Sequence, residues 1–194
     1  GSNYLLYYLY YDQFNAYHPT IVDAQIWTVN YYDDHSHPAM GGAGFNSSFN
    51  SLLTGSAPYA TAPSIPSSLT KGLKTGSNVC VLDPIHALTT TYATPWLKSK
   101  YFYDDKARLI QEYKWNHRGG LDLSTFQYNF GGSLASSFLQ HTDGSIVLYT
   151  TTNILKSYTI DFYNNKPRLL TQKINSQAPE NIYFYNYDEL GRVF

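Results

Sequence analysis

Apolar and polar positions alternate along most of this chain with a period of two, the spacing of a half-buried β-strand. Residues 25–32 put Trp27, Val29 and Tyr31 on one side and Ile26, Thr28 and Asn30 on the other. The Tyr- and Leu-rich run 4–11 and the segment Val79–Leu82 also read as strands. Asp12, Asp33 and Asp83-Pro84 follow these segments, and Asp suits a turn because its side chain can accept nearby backbone amides. Residues 34–68 break the alternation. Ser, Ala, Gly, Pro and Asn dominate there, predicting a long irregular loop, with a helical turn near Pro66–Lys71. Gly72 and Gly76 then lead back into strand.

Beyond residue 100 one element recurs. It begins at Tyr101-Phe102-Tyr103-Asp104 and closes at Ala107-Arg108-Leu109. It returns at Phe126-Gln127-Tyr128-Asn129 with Gly132, and at Asp161-Phe162-Tyr163-Asn164 with Pro167-Arg168. The fourth copy is Tyr185-Asn186-Tyr187-Asp188 with Gly191-Arg192-Val193. An aromatic strand, an Asp or Asn that opens a short turn, a Gly that closes it and an apolar residue that starts the next strand together predict a β-hairpin. Ala107 stands where left-handed backbone is expected, at a cost of about 1 kcal/mol. Pro167 cannot take a positive φ, so the third turn is expected to differ. Asp143-Gly144 predicts a further two-residue hairpin turn between strands at 134–141 and 145–151.

The pattern Tyr-x-Tyr-Asp-x-x-Gly-Arg-Val at 185–193, and its close copy at 101–109, resembles the YD repeat of bacterial Rhs-type and teneurin-like proteins. A longer stretch is similar to the large YD-repeat proteins common in Bacteroidetes. It runs from Lys71-Gly-Leu-Lys-Thr-Gly76 through Val81-Leu-Asp83 and Trp96-Leu97 to Asn116-His117-Arg118-Gly119-Gly120. The resemblance covers about residues 70–194, and more loosely 1–35. It implies a sheet that winds into a hollow shell, commonly around a C-terminal payload, in a secreted or surface-associated protein. The aspartyl-protease core motif of toxin-releasing shells is not visible. Phe194 follows directly on a turn, so the chain is expected to be a fragment, its partner being the rest of the same polypeptide. Gly1-Ser2 reads as a cloning remnant, so a missing leader carries no weight.

Composition narrows the function. With 194 residues, 14% charged, the chain can bury one core and is no disordered polyelectrolyte. Residues 1–70 hold four acids and no Lys or Arg, and residues 71–194 hold 13 bases and 10 acids. Neither half carries the clustered basic face a nucleic-acid binder needs, and no apolar run is long enough for a membrane helix. One cysteine, Cys80, excludes an internal disulfide and reads as a small core residue.

Candidate chemistry is sparse. Asp33, Asp34, His35 and His37 crowd together and could hold a divalent metal, but a solvated turn explains them more simply. His117 reads as a turn residue, and His86 and His141 as surface residues without partners. Gly41–Gly44 has no following Lys-Ser/Thr and is no phosphate loop. Asp104-Asp105 is explained by the turn, and no nucleophile elbow occurs. Among 20 tyrosines, Tyr183, Tyr185 and Tyr187 would share one strand face and Tyr158, Ile160 and Phe162 another. Such faces fit cross-strand packing, or a sugar platform with Trp27, Trp96 and Trp115 as stacking residues.

The expectation is an all-β, antiparallel sheet of repeated hairpins with a long irregular loop in its first half. Residues 1–70 and 71–194 would form one continuous domain. Its role would be structural and non-enzymatic, without cofactor or metal, with self-association through open sheet edges. Carbohydrate or protein binding is the alternative.

Overall fold

The computed structural model describes residues 4–5, 28–37, 42–53, 62–80, 96–116, 118–144, 150–161 and 164–193. The protein is all-β. Among the described residues ten strands run in sequence order across one antiparallel sheet: β1 (Tyr4–Leu5), β2 (Thr28–Tyr32), β3 (Lys74–Cys80), β4 (Trp96–Tyr103), β5 (Leu109–Trp115), β6 (Leu121–Tyr128), β7 (Leu134–Thr142), β8 (Thr151–Ile160), β9 (Pro167–Ile174) and β10 (Glu180–Phe184). Among the described residues each strand pairs only with its sequence neighbours. No helix among the described residues is long and apolar enough to cross a membrane.

The two faces differ. Registers Phe102↔Gln111, Gln111↔Thr125 and Thr125↔Phe138 align one face, and all four of these residues are buried. Their strand neighbours Ser124, Phe126, Ser137 and Leu139, on the opposite face, are half-exposed. This is the alternation expected of a sheet with one covered side.

The cover is the long loop. Residues 34–37 and 42–53 lie over the buried face as a strap. Phe45 and Phe49 pack against the cluster of Phe102, Ile110, Tyr113 and Leu123. The loop is not wholly irregular: Ser47–Leu52 forms a 3-10 helix, capped by Asn46, whose side chain accepts from Ser48 N–H. Gln111 fastens the strap at two points, accepting from Asn46 N–H at 2.8 Å and donating to Asn46 C=O at 2.9 Å. The Tyr113 hydroxyl donates to Gly44 C=O at 2.9 Å. Phe49 stacks on Phe138 with centroids 5.9 Å apart.

Several expectations are corrected. Pro66–Lys71 is not helical; the chain turns at Thr70–Leu73, with Gly72 at φ 79°. β3 starts at Lys74, so Gly76 lies inside the strand. No two-residue turn forms at Asp143-Gly144. β7 and β8 pair Thr142 with Thr151, so the connection runs from Asp143 to Thr150. Gly144 is used differently: it packs against the backbone of Gly119 and Gly120, where any Cβ would collide. Cys80 ends β3 half-buried, outside the core. Most of the run 4–11, together with Leu82–Pro84, lies outside the described residues.

Candidate functional site

The repeat builds one rim of the sheet. Asp104, Asn129 and Asp188 each open a turn whose backbone closes in the same way. The opener's N–H donates to the carbonyl four residues on, at 2.9 to 3.0 Å, in all three. The N–H three residues on donates back to the opener's carbonyl. The opener's Oδ1 accepts the amide of Arg108, Ser133 or Arg192, four residues on. A short Asp or Asn side chain suits the position because it reaches amides of its own turn, two of them at Asp104 and Asp188. The third residue after the opener takes positive φ: Ala107 at 58°, Gly132 at 87° and Gly191 at 74°. Asn116 makes the same turn with Gly119 at the opposite rim.

The third copy is read out of register by sequence alone. Its opener is Asp161, not Asn164. Asp161 N–H donates to Lys166 C=O at 2.8 Å, which makes the turn one residue longer, and Asn165 takes the positive φ of 56°. Pro167 starts β9 instead, so its ring never meets the left-handed position. Asn164 lies inside the turn, its side chain accepting from Lys166 N–H. Tyr163 and Phe162 are outside the described residues. The signal was present in Tyr158-Thr159-Ile160-Asp161, which keeps the apolar-x-apolar-Asp order without the second tyrosine.

A fifth member is interrupted. Asp33 N–H donates to Leu73 C=O, its Oδ1 accepts Gly72 N–H at 2.7 Å, and Gly72 takes the positive φ. β2 and β3 are therefore a rim hairpin whose turn has been opened by the strap. The register slips at Tyr31/Tyr32, as it does at Phe102/Tyr103, Gln127/Tyr128 and Thr159/Ile160. Each slip is a bulge just before the Asp or Asn that opens the turn.

The repeat tyrosines act on the backbone. Tyr103, Tyr128 and Tyr187 donate their hydroxyls to the carbonyls of Lys74, Leu109 and Pro167, at 2.7, 2.9 and 2.7 Å. Each acceptor is the first residue of the preceding strand. Burial pushes the Tyr103 and Tyr128 hydroxyls above the ordinary phenol range, which keeps them protonated donors. At the equivalent place in the third copy Ile160 packs on Ala135 instead.

Neighbouring turns are laced together. Arg108 pairs with Asp104 Oδ2 at 2.6 Å, lies 4.9 Å from the Tyr128 ring centre and donates to Asn129 C=O. Asn165 bonds the Asn129 side chain and Ser133, and Lys166 donates to Gly191 C=O at 2.7 Å. Arg168 pairs with Asp161, and Arg192 with Asp188. Burial raises the Asp104 carboxyl, but the Arg108 guanidinium and the turn amides outweigh it and hold the group below the usual carboxylate range.

The other candidates separate. Among the described residues no three His, Cys, Asp or Glu side chains converge as a metal site would require. Asp33 accepts the Gly72 amide and Asp34 the Ser36 amide. His35 Nε2 donates to Tyr101 C=O at 2.7 Å and its ring stacks on Phe102 at 4.6 Å. His37 stacks on Tyr31. His141, read as partnerless, pairs with Asp122 across the β6–β7 register at 2.6 Å. His86, His117 and Trp27 lie outside the described residues. Trp96 and Trp115 are half-buried, and Trp115 packs on the core cluster.

No protein-family profile, curated protein or solved structure matches the chain.

Proposed function

We propose that this chain is a non-enzymatic wall segment of a wound, YD-repeat-like sheet that encloses rather than transforms. The observation that carries the reading is the laced rim. Three turns share one hydrogen-bond pattern, the Asp161 turn is one residue longer, and each turn grips the next sideways, so each hairpin positions its neighbour. The resemblance of the Tyr-Asp motifs supplies the rest of the proposal: a secreted or surface-associated bacterial protein, partnered by the remainder of its own polypeptide and possessing a payload inside the shell.

The strand at the β10 edge supports a second element, self-association. Ile182, Tyr183 and Phe184 are 50%, 45% and 61% exposed on a strand paired on one side, an arrangement that invites another strand. Sedimentation velocity tests this. Concentration-dependent association that Ile182→Lys with Phe184→Lys abolishes is the expected result, and a strictly monomeric chain at high concentration overturns it. A glycan-array screen with calorimetry tests the wall against a recognition module. Specific binding lost on Trp96→Ala or Trp115→Ala would replace the wall reading with carbohydrate recognition.

A further inference from the structure

We propose that the groove between the strap and β7–β9 binds a small amphipathic carboxylate, Lys173 taking the carboxylate and Phe138 with Leu155 the apolar end. The groove holds about 340 Å³, within the range of small-ligand sites. Leu52 of the strap helix forms one wall. The registers Phe138↔Leu155 and Leu155↔Lys173 set the three floor residues side by side on adjacent strands.

The uncharged polar side chains at the groove have partners: the Ser51 hydroxyl donates to Ser48 C=O at 2.8 Å. Gln140 Nε2 donates to Asn153 Oδ1 at 3.2 Å, and Asn153 N–H donates to Asn175 Oδ1 at 2.8 Å. Lys173 is half-buried and makes no ion pair among the described residues. Among the described residues it is also the only charged one lining the groove. Its methylene stem can lie along the apolar floor while the ammonium stays at the rim. A cation beside low-dielectric surface gains more from an opposite charge than it would in bulk water. An anion with a short apolar tail satisfies both halves of the groove. A neutral apolar molecule leaves the ammonium unmet, and a polar anion leaves the floor bare. The proposal is independent of the wall reading, since it concerns the covered face and not the rim.

The test is an octanoate titration of the full chain followed by backbone amide shifts, with octanamide as the uncharged match. Saturable shifts confined to β7–β9 and the strap helix are expected, with octanamide weaker by about tenfold, the ratio that about 1.4 kcal/mol provides. Lys173→Gln, at a half-exposed position and with its fold checked by circular dichroism, is expected to reduce octanoate to the octanamide level. Shifts that do not saturate at millimolar octanoate, shifts that map elsewhere, or a Lys173→Gln variant that binds octanoate as tightly as the parent would overturn the assignment.

Discussion

The Tyr128 hydroxyl donates to the Leu109 carbonyl from one residue beyond the point where β5 and β6 come level. The register Gln111↔Thr125 sets Leu109 opposite Gln127, and Tyr128 is the next residue. Tyr103 and Tyr187 stand in the same relation to Lys74 and Pro167. Removing the hydroxyl strands a carbonyl at a strand start. Tyr128→Phe is expected to lower stability in urea by about 1 kcal/mol, the usual net worth of such a bond. A matching loss is expected for Tyr103→Phe. An unchanged midpoint in both variants would show that the ring alone holds the turn.

Among the described rim-turn residues at positive φ that carry a Cβ, Ala107 lacks the side-chain hydrogen bonding that Asp33 and Asn165 have. Ala107→Gly should therefore stabilise the protein, by about 1 kcal/mol, less the entropy glycine adds to the unfolded chain. The readout is the urea midpoint at constant slope. Gly132→Ala should move the midpoint the opposite way, at a site where a Cβ meets no neighbour and strain is the only cost.

Asp104 should govern part of the acid sensitivity. Its folded pKa lies below the ordinary value of 3.8. Its contribution is therefore complete above that value and is lost as pH falls through the depressed folded pKa. Asp104→Asn retains the turn bonds, as Asn116 and Asn129 demonstrate, but gives up the Arg108 pair. The variant's stability should fall less steeply than the parent's as pH drops from about 5 to about 2. Asp104→Ala also loses the amide contacts and should cost about 3 kcal/mol near neutral pH. Parallel acid profiles for Asp104→Asn and the parent would assign the acid dependence to other groups.

The strap should loosen on mild acidification. Burial holds the His35 imidazole below its ordinary pKa of 6.5, and the Lys100 ammonium pushes the same way. The Tyr101 carbonyl and the Asp34 carboxylate oppose them without prevailing. With the folded pKa lowered, docking is at full strength above about pH 6.5 and weakens below it, where the undocked imidazole takes up a proton that the docked one excludes. Hydrogen exchange at residues 42–53, corrected for intrinsic rates, should rise between pH 7.5 and pH 5.5. His35→Phe keeps a ring on Phe102 and should flatten that dependence. Equal pH dependence in the variant would rule out His35 as the cause.

Much of the sheet was legible because alternation and turn chemistry are local properties. The strands around Asp104, Asn129 and Asp188 follow directly from aromatic periodicity and an Asx residue. The third copy was misaligned because Tyr163-Asn164 imitates the motif more closely than Ile160-Asp161, and only the hydrogen bonds distinguish them. The kinship of Asp33 with Gly72 was hidden by the intervening residues. Gln111, the anchor of the strap, carries no sequence signal, since a glutamine on a strand looks the same whether it faces water or a loop backbone. His141 found Asp122 only through pairing register.

The strands and the strap also set a timetable for folding. Strand order follows sequence order, and from β4 to β10 each pairing closes a short stretch of chain and can form early. The strap is tied to Gln111 and Tyr113 across 65 and 69 residues. Those contacts have no place to land until β4 and β5 already exist. The hairpins would zip first and leave the apolar face open, and the strap would then close over it in a later kinetic step.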